Sequence, residues 1–335
     1  MNSFGRRFRV SVFGESHGSA IGVVIDGVPA GLRLSAEDFC ADIDRRRSGA
    51  RGTTPRKEED IPEILSGIHD GYATGAPMSI IFRNGNTRSS DYELFRAVPR
   101  PGHADHVADV RWHGYNDARG GGHFSGRLTL PVVAAGAVAK KLLSGCGGIS
   151  IRASLVEVGG ISFRQEDGTL PLDVTDAIDD AIREGDSLGG IVECIVCGLP
   201  AGIGEPFWDS LESMISHAVF SIPGVRGVEF GDGFAAARMK GSEHNDPLGC
   251  DGVPLKNGAG GINGGLSSGA PIVFRVAFKP TSSIRKTQLT ADVKAGVMTD
   301  LSVPGRHDAC FALRAPVVVE AMAAVVLADM VPLCL

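Results

Sequence analysis

The chain has 335 residues, 33 Lys and Arg against 39 Asp and Glu, and a hydrophobic fraction of 43%. That excludes an intrinsically disordered chain, and a net charge of −6 argues against a general nucleic-acid binder. Its 46 glycines are about twice the ordinary ~7% share; they cluster without a G-X-Y period, which excludes collagen and points to tight turns and close backbone approaches.

In chain order, short β-branched runs predict strands at Arg9–Phe13, Gly22–Ile25 and Pro77–Phe82. The Ala-rich segment Leu130–Leu143 predicts a buried helix with lysines near its end, and Val174–Glu184 an amphipathic one. A strand follows at Gly190–Gly198, a helix at Glu205–Val219, and strands at Gly227–Phe230 and Ile272–Phe278. The apolar C-terminal stretch from Ala315 is interrupted by Glu320 and Asp329, so it reads as a buried helix and not a membrane span. Arg127-x-x-x-Pro131-Val-Val and Arg314-x-Pro316-Val-Val echo one another across the two apolar helices. Strands and helices interleave without a regular βαβ beat and no linker divides the chain, which predicts one α+β domain over residues 1–335.

The seven cysteines are odd in number and widely spaced, and the opening MNSFGRRFRV lacks an apolar h-region; both suit free thiols in a cytoplasmic protein. Cys194 and Cys197 match C-x-x-C, but positions three apart on a strand face opposite sides and no second pair completes a zinc site. No metal site is expected.

The chemistry-bearing residues gather in loops. Arg45, Arg46, Arg47, Arg51, Arg56 and Lys57 follow Asp44 with no acid between them, beside the small-residue loop SGARGTTP. Such a run is either a solvated face or a clamp for a small polyanion, since guanidinium forks suit phosphate and carboxylate. His17 lies in the turn Gly14-Glu-Ser-His-Gly18 and His103 in Arg100-Pro-Gly-His-Ala-Asp105; a loop histidine is either surface or a proton donor to a ligand. Gly14, Ser16 and Gly18 formally satisfy G-x-S-x-G, but a strand and not a helix is expected next. Three further loops offer backbone amides or hydroxyls to an anion: Gly120–Gly126, Asn257–Gly269 and Lys279-Pro-Thr-Ser-Ser283. Gly231–Ala236 matches the dinucleotide pattern without the acidic residue that should follow, and no P-loop occurs. Composition and spacing reach an enzyme with several anion sites and two loop histidines; the rival readings are a polyanion-binding module and a Rossmann-type dehydrogenase.

The same segments resemble the signatures of the chorismate synthase family. They are Gly14-Glu-Ser-His-Gly with Asp26-Gly-Val-Pro29, Asp44-Arg-Arg-Arg47, Arg100-Pro-Gly-His-Ala-Asp105, Ser125-Gly-Arg-Leu-Thr129 and Gly198-Leu-Pro-Ala-Gly-Ile-Gly-Glu-Pro206. Further along come Ser221-Ile-Pro223, Gly231-Asp-Gly-Phe234, Ala259-Gly-Gly261, Lys279-Pro-Thr-Ser-Ser283 and Arg306-His-Asp308. The resemblance implies a β-α-β sandwich with helices between two antiparallel sheets, assembled as a homotetramer. It implies a carbon–oxygen lyase acting on phosphates, which converts 5-enolpyruvylshikimate 3-phosphate to chorismate by 1,4-anti elimination, the last common step of the shikimate pathway. Reduced FMN (FMNH2) is implied as cofactor, with NADPH needed only by a bifunctional form and an external flavin reductase as partner otherwise; no nucleic acid or membrane partner is implied. By motif, His17 protonates the departing phosphate, His103 balances the charge of the reduced flavin, and Asp308 lies near flavin N5 and receives the proton from substrate C6. Arg46, Arg51, Arg100, Arg127 and Arg306 are implied substrate clamps. His123, Phe124, Ser125, Gly224, Gly264, Lys279, Thr281, Ser282, Ser283 and Arg306 are implied flavin contacts. Where the family often has Arg-Ser-Ser-Ala-Arg-Glu-Thr, this chain has His123-Phe-Ser-Gly-Arg-Leu-Thr129, which removes a permanent cation and an acid.

Overall fold

Two five-stranded antiparallel sheets face each other across a layer of helices in the computed structural model, which describes residues 2–54, 58–85, 89–164, 169–305 and 307–332. The first sheet orders its strands Ser3–Phe4, Arg9–Gly14, Ala20–Asp26, Met78–Arg83 and Glu63–Ser66. The second orders Val225–Phe230, Ile272–Phe278, Gly190–Cys197, Ser150–Val158 and Ile161–Ser162. The helices are α1 (Glu37–Arg46), α2 (Asp105–Trp112), α3 (Thr129–Gly145), α4 (Leu172–Glu184), α5 (Leu211–Val219), α6 (Gly241–His244) and α7 (Pro316–Met330). This is the α+β sandwich expected.

The strands obey the alternation that their sequences carry. Ile272–Phe278 alternates buried and half-buried residues along its length, and Cys194 in the neighbouring strand sits opposite Phe274 and Ala153. Cys194 is buried and Cys197 exposed, so the C-x-x-C pair does point to opposite faces. Antiparallel pairing throughout both large sheets removes the parallel βαβ frame that a dinucleotide-binding reading of Gly231–Ala236 requires.

Helices α3 and α7 form the middle of the sandwich and are apolar all round because protein covers them on every side. The segment Gly126–Gly145 is long and apolar enough to cross a membrane, yet 78% of its apolar window is buried within the fold. The two helices cross where Gly136 meets Ala321; a Cβ on Gly136 would lie 2.3 Å from that of Ala321, so only glycine permits this approach. Glu320 of α7 is buried and ties four elements together. It accepts a bidentate pair from Arg45 at 2.7 Å, a bond from Lys140 at 3.1 Å and the Ala153 amide at 2.8 Å. Burial would raise its carboxyl, but Arg45 and Lys140 hold it below the usual range.

One predicted element is corrected. Glu205–Val219 is not one helix: Pro206 is extended, Phe207 adopts φ +62°, and α5 begins only after Ser210, whose hydroxyl accepts from the Ser213 amide at 3.1 Å. The sequence reading also missed α1, α2 and the strand Ser150–Val158. Arg45 and Arg46, read as part of a loop run, are the last turn of α1, where their charge complements the helix dipole.

Candidate active site

A cavity of about 1450 Å³ opens at one end of the sandwich. It exceeds the ~300–1,000 Å³ of a site for one small molecule, so it has room for two. Three short approaches deliver its charged floor. α1 ends by pointing Arg46 inward, while tight 3-10 turns at Gly126–Leu128 and Phe311–Arg314 bring Arg127 and Arg314 in just before α3 and α7. The echo in sequence between the two apolar helices is therefore an echo in space, with one arginine delivered to the same cavity from each.

Asp60 holds two of these cations in place. Its Oδ1 accepts from Arg127 Nη1 at 2.7 Å and its Oδ2 from Arg46 Nη1 at 3.4 Å, all three side chains being almost fully buried. Arg46 also donates to Thr129 Oγ1 at 3.0 Å, and Arg127 to Asn84 Oδ1 at 2.7 Å. Burial, together with the nearby Arg314 and Arg127, pushes Arg46 down to about 9, so it keeps its proton at neutral pH. Asp308, also buried, accepts from Arg314 Nη2 at 2.7 Å and from the Thr54 amide at 2.9 Å. The guanidinium of Arg314 rests over the Phe311 ring at 4.9 Å.

Of the two histidines that the sequence singles out in turns, His103 lines the cavity and His17 does not. His17 is buried behind the lining residue Tyr92, edge-on to it with ring centroids 5.2 Å apart. Gly120 lies against it with φ +62°, in the Gly-rich turn that the sequence singles out. His103 places Nδ1 2.6 Å from Asp105 Oδ1. Burial lowers the His103 imidazole below the ordinary histidine value and Arg100 and Lys279 lower it further, against the opposing pull of Asp105.

One wall is suited to a phosphate or to the polar edge of a flat ring. Lys279 Nζ donates to Ser282 Oγ at 2.7 Å and to the Gly102 carbonyl, and Ser283 Oγ accepts from Arg100 at 2.9 Å. Burial and the nearby Arg226 lower the Lys279 ammonium. Thr281 Oγ1 and Arg314 Nε are buried without a hydrogen-bond partner among the described residues, and both side chains line the cavity. Buried polar atoms of that kind are costly unless a ligand engages them. Beside them Phe124, Ile222 and Pro223 supply apolar surface.

Of the residues singled out from sequence, Arg46, Arg100, Arg127, His103, His123, Phe124, Ser125, Gly224, Lys279, Thr281, Ser282, Ser283 and Asp308 line this one cavity. Besides His17, two do not. Arg51 pairs with Asp179 of α4, its Nε donating at 2.6 Å, and Gly264 forms the tip of the short hairpin Ile262–Asn263 to Leu266–Ser267. Arg306 lies outside the described residues. The sequence reading missed Asp60, Tyr92 and Arg314 as site residues; the echo with Arg127 could have found Arg314, whereas Asp60 and Tyr92 stand in segments whose composition does not mark them.

A family model described as chorismate synthase matches residues 8–332. The chain belongs to the chorismate synthase family. It is 59% identical to the chorismate synthase of Chitinophaga pinensis over 98% of this chain and 96% of that one. It is 50% identical to the chorismate synthase of Korarchaeum cryptofilum, over 97% and 96% of the two chains. A crystal structure of a chorismate synthase superposes with a TM-score of 0.71 at 28% identity, covering 98% of this chain and 92% of the other. Membership of the chorismate synthase family makes the chain a lyase of the shikimate pathway, serving aromatic biosynthesis.

Proposed function

We propose that the cavity binds 5-enolpyruvylshikimate 3-phosphate together with reduced FMN and eliminates phosphate to give chorismate. The observation that carries this reading is the convergence of Arg46, Arg127 and Arg314, held by Asp60 and Asp308, on one cavity large enough for two ligands. A substrate with two carboxylates and a phosphate needs several fixed cations, and cations already oriented by Asp60 and Asp308 cost little reorganisation during reaction.

Two proton transfers are asked of the protein. Asp308 accepts the proton from substrate C6, and the Arg314 bond to its Oδ2 orients the carboxylate for that task. His17 delivers a proton to an oxygen of the departing phosphate as the C3–O bond breaks, so that proton loss and phosphate loss balance. Arg46, Arg127 and Arg100 face the substrate, with Arg306 as a further clamp; Arg51 serves there only by leaving Asp179. His123, Phe124, Ser125, Gly224, Lys279, Thr281, Ser282 and Ser283 would hold the flavin, with Arg306, and with Gly264 as a contact outside the cavity lining. When bound, reduced FMN supplies transient electron density to the breaking bond, with no net oxidation or reduction. His103 keeps one proton on Nδ1 toward Asp105 and leaves its other nitrogen on the side of Gly121.

The reading further takes the chain as one domain, cytoplasmic and homotetrameric, with NADPH required only if it reduces its own flavin and an external flavin reductase otherwise. His17→Ala and Asp308→Asn should each cut turnover by the ~10²–10⁴ of general acid–base loss while flavin binding, followed by flavin fluorescence, is largely kept. Near-normal turnover in either variant refutes the role assigned to that residue.

A further inference from the structure

Asp105 does not line the large cavity, yet three groups that do depend on it. It is the first residue of α2, and burial alone would raise its carboxyl; hydrogen bonds from Arg100 and His103 hold it well below the usual range instead. Its Oδ2 accepts from Arg100 Nε at 2.8 Å and from the Arg100 amide at 3.1 Å, and its Oδ1 accepts from Arg100 Nη2 at 2.7 Å. This bidentate grip fixes the guanidinium, whose Nη1 donates to Ser283 Oγ at 2.9 Å and whose Cζ lies over the Phe95 ring, 4.6 Å from its centroid.

The same Oδ1 lies 2.6 Å from His103 Nδ1, and that distance decides where the imidazole proton sits. Were Nδ1 unprotonated, two lone pairs would face each other at 2.6 Å. Arg100 Nη2, 3.1 Å away, has a second N–H beside the one given to Oδ1, but an Nδ1 lone pair accepting it would still lie against Oδ1 at the shorter distance. The proton is therefore on Nδ1, and Nε2 is left on the side of Gly121, where a glycine Cβ would stand 3.5 Å away.

We infer that Asp105 is a positioning residue that fixes the Nδ1–H tautomer of His103 and, through Arg100, the orientation of Ser283. The inference rests on the proposed role of His103 only for its consequence in turnover; the tautomer itself is a property of the protein without ligand. An amide at this position reverses the pattern. Arg100, a donor only, takes the single oxygen of an Asn, and the Asn amino group then faces His103 Nδ1, which must become an acceptor.

The test is long-range proton–nitrogen NMR on protein carrying ¹⁵N-histidine, without flavin or substrate, with His103 assigned by its loss in His103→Gln. The unaltered protein should show His103 protonated on Nδ1 at neutral pH, and Asp105→Asn should show it protonated on Nε2, with turnover down ~10²–10⁴-fold. An Nε2–H tautomer in the unaltered protein, or an unchanged tautomer in Asp105→Asn, overturns the inference. If the variant does not fold, the unaltered protein still decides on the first criterion. Absence of chorismate formation by the unaltered protein would overturn the proposed function instead, while the NMR spectrum decides the tautomer independently of it.

Discussion

Gly120 and His17 are packed so closely that a Cβ on the glycine would stand 2.3 Å from His17 Cδ2 and 2.5 Å from Nε2. The missing side chain is what lets the imidazole lie directly behind this part of the cavity lining, beside Tyr92. Gly120→Ala must therefore displace the ring, and φ +62° adds strain for any L side chain. We expect a ~10²-fold loss of turnover, the scale of an ångström-sized misplacement of a reacting group, with a folded protein by circular dichroism. Unchanged turnover would show that the position of His17 is not limiting.

Asp60 lies between Arg46 and Arg127 in surroundings that water hardly reaches. Removing its charge leaves two buried guanidiniums uncompensated, which costs about 3–5 kcal/mol. Asp60→Asn is the clean variant, because asparagine tolerates the φ of +49° found there. Denaturant unfolding should show that loss, together with weaker substrate binding as the two arginines part. A loss under ~1 kcal/mol would place the pair among ordinary exposed ion pairs.

Stability should fall on mild acidification. His103 and His307 are both lowered by burial, and Arg100 lowers each further. Below the unfolded value of ~6.5 the unfolded chain binds protons that the folded protein refuses, so folding loses free energy as pH falls toward the folded values. Glu320 and Asp105 are lowered carboxylates and keep their contribution through this window, losing it only under stronger acid. Denaturant unfolding at pH 7.5 and 5.5 should give lower stability at 5.5, with a smaller difference in His307→Gln. Equal or greater stability at pH 5.5 contradicts this.

Much of the frame was legible because its signals are local. Ile272–Phe278 alternates as a half-buried strand must, and the apolar runs of α3 and α7 announce helices covered on all sides. The Glu205–Val219 helix failed because the left-handed backbone at Phe207 is not written in residue type. Motifs placed Arg100 beside His103, but what Asp105 does for both appears only when α2 turns its first residue back onto them. Asp60 reaches Arg127 across 67 positions, and the charge balance of the cavity floor depends on that long-range pairing. The Arg45–Lys57 run, read as either a solvated face or a polyanion clamp, is dispersed where it is described: Arg45 goes to Glu320, Arg46 to the cavity and Arg51 to Asp179, while Arg56 and Lys57 lie outside the described residues. Arg45 and Arg46 part because neighbours on a helix are turned by roughly 100°, and Arg51 lies beyond the end of α1.

The measurement that tests the central claim most directly is an anaerobic assay of the purified protein with 5-enolpyruvylshikimate 3-phosphate and chemically reduced FMN, following chorismate and phosphate together. The account predicts equal release of both and none with oxidised FMN alone. Folded protein that binds flavin yet releases neither, or releases phosphate without chorismate, would contradict it.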